Sequence, residues 1–362
     1  VPTVNVALGR RSYPVIIAAG LLDQAALWRK HLPAGKILVV SNEIVAPLYL
    51  DRVCNAIGGS TIQTLVLADG ESSKTVSNWA HIIDRLVAMK AGRDACLVAL
   101  GGGVTGDLCG FAAAAYMRGV AFIQVPTTLL AQVDASVGGK TGVNHIEGKN
   151  LIGAFHQPIA VFADTDTLNT LPEREFRAGL AEAVKIGAIR DPAFLEWLEL
   201  EAAQIIARDS GTLTRLIDHS VRHKAAVVAE DELESGARAL LNFGHSFAHA
   251  LETITGYSQL LHGEAVSIGM VVAATLSESR RLCPAGVSQR LSELLTALGL
   301  PVAVPDGIET NAIIEAMALD KKVLAGQLRL ILLNAPGSAV IDTGSSEQEI
   351  RAALTACRVD NT

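Results

Sequence analysis

His245 and His249 stand four residues apart, with Asn242 three residues before them and Glu252 three after. On a helix these steps place all four on one face. Leu240, Leu241, Phe247 and Leu251 fall largely off that stripe and can face a core. A polar stripe with two imidazoles and a carboxylate is unusual in a chain half of whose residues are apolar. A wetted helix face would account for two histidines by themselves. His262 tips the balance toward a site. It follows a Gly256-Tyr257 turn and precedes Gly263-Glu264, so the next helix can fold back and bring it toward His245. Two imidazoles and one carboxylate from elsewhere make a three-ligand zinc site with an open position, the arrangement of a catalytic metal.

A carboxylate for the third position is available in PEREFRAGLAEAVKIGAI, where Glu182 and Lys185 stand three apart among Ala181, Ala183, Val184 and Ile186. An exposed pair at that spacing is an ordinary intrahelical ion pair, worth about 0.2–0.5 kcal/mol. The apolar neighbours make this no solvent face, and Glu182 becomes the candidate ligand. Gly101, Gly103 and Gly106 fit G-x-G-x-x-G, directly after a predicted strand and at the opening of a helix. There backbone N–H groups can close on a pyrophosphate; a glycine-rich packing turn is the alternative. The motif lies on a later strand than usual, and the position about twenty residues on is Pro126, not an acid. Asn42, Asp69 and Glu71 are therefore the candidates for ribose hydroxyls. In QVDASVGGKTGVNHIEGKN, Lys140 and Lys149 stand near glycines and Asp134 reads as buried. Such lysines offer point charges to a phosphate or carboxylate.

These groups need elements to hold them. The chain has 362 residues, enough for one or two domains with a large core. VNVAL and YPVIIAAG read as a hairpin around residues 9–12. From KILVVS onward strands and helices alternate: a helix over 44–56, TIQTLVL, a helix over 75–89, ACLVAL, a helix from Thr105, then AFIQVP. Strands apolar on both faces, alternating with helices, indicate a parallel sheet covered on both sides. Polar residues collect after their carboxyl ends, the edge at which open α/β sheets bind ligands. After IAVFAD, Thr170 and Pro172 mark a helix start, and the rest reads as helical apart from one late hairpin, QLRLILLN with GSAVI. The expectation is an α/β domain over 1–168 and an all-helical domain over 169–362.

Composition narrows the partners. A net charge of −7 argues against nucleic acid or an acidic membrane surface. Five scattered cysteines without metal-type spacing fit reduced thiols rather than a disulfide framework. The longest apolar run, over 268–276, is too short to span a bilayer. No signal-peptide pattern opens the sequence, so a cytoplasmic location is expected, and the absence of an initiating Met is read as trimming.

Residue logic alone reaches a metal-assisted, nucleotide-dependent enzyme acting on a small anion. The motifs LGGGVTGDLCGFAAAAYMRG, VPTTLLAQVDASVGGKTGVNH with GKN, LPEREFRAGLAEAVKIG, RALLNFGHSFAHALE, LHGEAVSIGM and DKKVLAGQLRLILL together resemble the 3-dehydroquinate synthase family. The resemblance runs over nearly the whole chain, and the joint occurrence of the motifs is highly specific. It implies a dehydroquinate synthase-like fold, in which a Rossmann-like domain joins a helical one, and a homodimer using NAD and a divalent metal, zinc or cobalt. The implied substrate is 3-deoxy-D-arabino-heptulosonate 7-phosphate, converted to 3-dehydroquinate and phosphate in the shikimate pathway. The implied reaction is a transient NAD-dependent oxidation, β-elimination of phosphate, reduction, ring opening and intramolecular aldol closure.

The resemblance also assigns residues. Glu182, His245 and His262 match the family's metal ligands. His249 matches a proton-transfer position, against the ligand role that H-x-x-x-H suggests, and Glu234 matches a second acid/base position. Lys140, Asn150 and Lys185 complete the implied catalytic set. Asp134, Lys140, Asn150, Lys185, Lys224, Arg238 and Asn242 match substrate contacts, joined by Lys321 or Lys322. For NAD, the matching positions are Asp69, Gly70, Glu71, Ser72, Ser73 and Lys74, then Gly103, Val104, Thr105, Gly106 and Asp107. Thr127, Thr128, Lys149, Thr167, Leu168, Asn169 and Thr170 follow, and Asn42, Gly102 and Asp134 are placed with them. Thr167 and Asn169 differ from the family's commoner residues. Arg118 matches an arginine that reaches the phosphate of the partner subunit's substrate.

Three rivals are set against this reading. A glycerol dehydrogenase-type polyol oxidoreductase shares the domain plan and metal site, but Lys140, Lys149, Asn150 and Arg118 form a phosphate-binding set it does not need. A sister sugar-phosphate cyclase, making an inosose or valiolone, is disfavoured by His249 and the GKN at 148–150. A non-catalytic NAD-binding scaffold would leave the metal and lysine positions without purpose.

Overall fold

Strands of Val, Ile, Leu and Ala, the central ones buried on both faces, build the first part of the chain. In the computed structural model, which describes residues 1–59, 61–234, 236–257, 259–323 and 328–358 with backbone alone at 319–323, they form one sheet. The strands are β1 (Thr3–Val6), β2 (Tyr13–Ala18), β3 (Ile37–Asn42), β4 (Ile62–Leu67), β5 (Cys96–Gly101), β6 (Ala121–Pro126) and β9 (Ala160–Asp164). Their order is β1-β2-β9-β6-β5-β3-β4. β1 runs antiparallel to β2, as the hairpin pattern predicts, and every other pairing is parallel. Successive residues of β3 feed opposite layers. Leu38 and Val40 pack with Ile82, Leu86, Leu108 and Ala112 of α3 (Val76–Ala88) and α4 (Gly103–Ala115). Ile37 and Val39 pack with Trp28, Tyr49 and Val53 of α1 (Ala25–His31) and α2 (Ala46–Ile57). That two-sided burial is why the strands read as continuous apolar runs.

Two features of this part were not in the sequence reading. Residues 140–155, to which the sequence reading gave no strand, form an antiparallel ribbon of β7 (Lys140–His145) and β8 (Gly148–Phe155), with an irregularity between Val143 and His145. The other is the company kept by α8 (Ser210–Glu230). The chain divides into two compact units, Val1–Leu171 with Leu213–Leu233, and Pro172–Thr212 with Glu234–Thr362. A single cut after 168 puts all of α8 in the helical part, whereas most of it packs within the sheet unit. Lys224 Nζ donates to the carboxylate and the carbonyl of Asp134 at 2.7 Å each. Glu232, just beyond the helix, is gripped at both oxygens by Arg11, 2.8 and 2.7 Å.

The second unit holds α5 (Glu173–Arg190), α6 (Pro192–Leu200), α7 (Ala202–Ile206), α9 (His245–Ile254), α10 (His262–Ser279), α11 (Val287–Ala297), α12 (Thr310–Val323) and α13 (Glu347–Ala356). The late hairpin is present as β10 (Leu330–Ala335) and β11 (Ser338–Asp342), antiparallel. α10 is buried along most of its length and packs against α5, α9, α11, α13 and β10. A helix apolar nearly all round belongs at such a centre. Among the described residues, no helix is long and apolar enough to cross a membrane.

Candidate functional site

The helical unit brings three of the expected ligands together. Glu182 projects from the middle of α5, His245 opens α9 and His262 opens α10. The start of α10 is pinned by Glu264, which accepts the backbone N–H of Leu261 at 2.8 Å and a fork from Arg174 of α5 at 2.7 Å on each oxygen. Gly263 lets the two helices touch: a Cβ there would lie 1.8 Å from the carbonyl oxygen of Ala178. Glu182 Oε1 lies 3.7 Å from His245 Nε2 and 3.6 Å from His262 Nε2. These gaps are too long for hydrogen bonds, and Oε1 has no hydrogen-bond partner among the described residues. Ligands held about 2.0–2.2 Å from one tetrahedral cation lie about 3.3–3.6 Å apart. A 1 % exposed carboxylate oxygen left unbonded between two imidazoles therefore fits a divalent metal.

The electrostatics suit that use. Burial alone would raise Glu182, but Lys185, ion-paired with its Oε2, and the two imidazoles hold it well below the ordinary carboxylate range. Burial, helped by the Lys185 charge, pushes His245 down to about 3, so its ring is neutral with a lone pair to give. Burial would also lower His262, yet Glu182 and Glu252 outweigh it and lift the ring to about 9. A metal arriving there has to displace a proton. His249 stands exposed one turn beyond His245, their ring centroids 5.7 Å apart. Asn242 donates to Glu234 Oε1 at 3.3 Å, and Arg238 is 1 % exposed. Asn242 departs from the expected helical stripe. It ends a 3-10 helix, Ala237–Asn242, and Gly244 in the left-handed region (φ 79°) separates it from α9.

The sheet unit collects the expected cofactor residues after the strand ends. Gly102 caps α4, whose first turn carries no acid. A Cβ on Gly101 would meet Thr105 Oγ1 at 2.5 Å, and one on Gly106 would meet Gln124 Oε1 of β6 at 2.7 Å, while Gly103 has only ordinary contact at 3.4 Å. Those are the three glycine roles of a dinucleotide turn: the tight bend, the open approach, and the close helix–strand packing. Thr127, buried beside the turn, donates its N–H to Gly101, and its hydroxyl has no partner among the described residues. The donor set and the orphaned hydroxyl fit a dinucleotide.

Around that turn the expected residues interlock. Asn42 donates to Asp69 Oδ1 at 2.5 Å and accepts from the N–H groups of Ile44 and Val45. Lys74, 4 % exposed, is ion-paired with Asp107 and bonded to the side chain of Asn150. Burial lifts Asp107 above the usual carboxylate value despite that lysine. Ser73 donates to the Asp69 carbonyl, closing the turn from 69 to 74. Asp134 lies in a five-residue π-helix, Ala131–Ala135, and is half-buried rather than buried. The hydroxyls of Thr167 and Thr170 bond within the unit, to the Asp164 carbonyl and to Tyr49; Leu168 is fully buried and Asn169 exposed. Lys140 and Asn150 are exposed, and Lys149 is half-buried at the start of β8. The side chains of Lys321 and Lys322 lie outside the described residues.

Sequence reasoning missed Asn144. Its Nδ2 donates to Glu71 at 2.7 Å, and its Oδ1 accepts the N–H of Asn150 at 3.0 Å. It thus ties the 69–74 turn to Asn150, whose φ is 57°. The signal was only its place in GVNH beside GKN.

A dinucleotide-type sheet and a helical unit with a two-histidine, one-carboxylate cluster fit the dehydroquinate synthase-like sugar-phosphate cyclases, a plan that polyol oxidoreductases share. Solved structures agree. A 2-epi-5-epi-valiolone synthase from Streptomyces hygroscopicus subsp. jinggangensis 5008, with NAD+ and Zn2+ bound, is 30 % identical at a TM-score of 0.88, covering 97 % of this chain and 98 % of that one. A 2-deoxy-scyllo-inosose synthase complexed with carbaglucose-6-phosphate, NAD+ and Co2+ is 27 % identical at a TM-score of 0.89, covering 98 % and 100 %. Family models described as 3-dehydroquinate synthase N-terminal and C-terminal match residues 64–178 and 179–323. The 3-dehydroquinate synthase of Methylococcus capsulatus is 53 % identical over 97 % of this chain and 98 % of its own length. The chain belongs to the 3-dehydroquinate synthase family.

Proposed function

We propose that this chain converts 3-deoxy-D-arabino-heptulosonate 7-phosphate to 3-dehydroquinate and phosphate, with NAD and a divalent metal, in the cytoplasm. Within this family, the observation that carries the reading is Glu182 Oε1, buried, unbonded and faced by Nε2 of both His245 and His262. When bound, NAD supplies a reversible hydride acceptor and the metal a Lewis-acid charge. The chain's own groups hold and steer the substrate. Backbone N–H groups at the start of α4 would take the pyrophosphate, and Asn42 with Asp69, hydrogen-bonded to each other, would serve the ribose hydroxyls. Lys140, Lys224, Arg238 and Asn150 bind the phosphorylated substrate, and the charges of Lys140, Lys224 and Arg238 also favour phosphate as it leaves. His249, exposed, and Glu234, half-buried, are the groups for proton transfer. Holding one flexible intermediate in reactive geometry is the larger part of the task.

The test is stoichiometry. With substrate, zinc and a trace of NAD, each turnover is expected to release one phosphate while NADH absorbance stays flat, because the hydride leaves and returns. Stoichiometric NADH would identify the polyol oxidoreductase instead.

The family likeness also supports a homodimer in which Arg118 completes the partner subunit's phosphate pocket. Arg118 is exposed, with φ 66° after Met117 at φ 51°, two non-glycine residues in the left-handed region. Such backbone costs about 1–3 kcal/mol per residue and tends to mark functional positions. Arg118→Ala and His245→Ala should each be nearly inactive alone. In a mixed dimer, the site on the Arg118→Ala chain keeps its own His245 and borrows an intact Arg118. With free exchange about half the dimers are mixed and each regains one of two sites, so about a quarter of full activity returns. Activity no higher than the sum of the two mutants, with exchange verified, would rule the sharing out.

A further inference from the structure

The polar stripe of α9 ends in a group to which the proposed reaction gives no task. Glu252 lies two turns beyond His245 and is 5 % exposed, on a helix whose other buried residues are Phe247, Ala248, Ala250 and Leu251. A carboxylate held out of water among such neighbours is costly unless something compensates it. Its Oε1 lies 3.5 Å from Nδ1 of His262. That is the far side of the ring from Nε2, which faces Glu182 at 3.6 Å. His245 repeats the arrangement with a different acceptor: Nδ1 is 3.1 Å from the carbonyl oxygen of Phe243, and Nε2 is 3.7 Å from Glu182. In both rings an oxygen stands behind Nδ1 while the shared carboxylate stands before Nε2. An imidazole that gives its Nδ1–H to an oxygen keeps its lone pair on Nε2 and loses its freedom to turn.

Resting on the metal reading above, we propose that Glu252 is a positioning residue of the metal centre: its carboxylate accepts the Nδ1–H of His262 and fixes which nitrogen of that ring is offered to the metal. At 3.5 Å the contact stands at the outer limit of a hydrogen bond, and on this proposal it shortens when the metal is bound. The two rings differ in need. The His262 side chain is 34 % exposed and that of His245 12 %, so the looser ring is the one given a charged acceptor. A charged acceptor also makes the opposite nitrogen a better donor to a cation.

The experiment measures zinc affinity of the whole chain by chelator competition, for the parent, Glu252→Gln and Glu252→Met. Met removes the acceptor at similar volume, and zinc should bind about 10–100-fold more weakly. Gln keeps a neutral acceptor, so its loss should be smaller, about 3–10-fold. The visible absorption of the cobalt-substituted protein should shift in both, because the ring is no longer aimed. Thermal unfolding of the metal-free variants separates a role in the fold. If they melt earlier but bind zinc within about twofold of the parent, with an unchanged cobalt spectrum, Glu252 only joins helices and the proposal falls. Should the Met variant not fold, the Gln variant decides by the same criterion. A parent that binds no zinc would overturn the metal reading itself, and the role of Glu252 with it.

Discussion

Glu182→Gln is expected to abolish tight zinc binding and to lower turnover by about 10³-fold or more. The estimate follows from the several kcal/mol that a Lewis-acid metal contributes to charge stabilisation, at about 1.4 kcal/mol per tenfold. The substitution keeps the shape of the side chain and removes the charge between His245 and His262. It also breaks the buried ion pair with Lys185, which is 2 % exposed, and removing one member of such a pair costs about 3–5 kcal/mol. Metal-free Glu182→Gln should therefore unfold at lower denaturant than the metal-free parent. Chelator competition, phosphate release and urea unfolding are the three measurements. Retained zinc with turnover within tenfold of the parent would remove Glu182 from the ligand set.

The second large effect is expected at a residue that touches no ligand. Gly263→Ala would set a methyl carbon 1.8 Å from the carbonyl oxygen of Ala178. That oxygen accepts, by the i to i−4 rule, the N–H of Glu182 in α5. Relief requires the start of α10 and α5 to move apart, which separates His262 from Glu182. Overpacking of this kind costs about 3 kcal/mol, and zinc affinity should fall at least about tenfold, like other losses of ligand support. Gly211→Ala is the control. Gly211 lies exposed in α8 with nothing closer than 3.4 Å, and alanine there should be neutral or stabilising by about 0.5–1 kcal/mol. If Gly263→Ala matches that control in urea unfolding and zinc binding, the close helix contact does not set the ligand geometry.

The sheet was legible because each central strand is wrapped on both faces: no polar residue interrupts 37–40 or 96–100, and helical spacing resumes between them. The cluster of Glu182, His245 and His262 was legible for the converse reason, as polar side chains at helical spacing in helices otherwise apolar. The ribbon over 140–155 was not. Its strands carry glycines and charges and expose Leu151 and Phe155, so neither period two nor a buried run marks them. The stripe over 242–252 was over-extended because Gly244 gives no sign in sequence that it turns left-handed. Asn144 and the partner of Glu252 escaped for a third reason. Each acts through a residue on another element, and nothing in local spacing reports which elements will meet.

The placement of residues 213–233 with the sheet bears on how the protein is made. The chain leaves the first unit at 171, builds three helices of the second, returns for α8, and only then supplies the two helices that open with His245 and His262. Domains released from a ribosome generally fold in order of synthesis. Here neither can finish before the other has begun. When residue 171 emerges, Asp134 still lacks Lys224, and Arg11 and Gln157 still lack Glu232. When α8 arrives to complete the sheet unit, α5 is already out, with Glu182 and Lys185 on a helix whose covering partner α10 has yet to be translated. Nascent chains of this protein therefore pass through a stage, about thirty to fifty residues long, in which a finished sheet precedes an uncovered α5. That interval is where assistance from chaperones, or aggregation without it, should be concentrated.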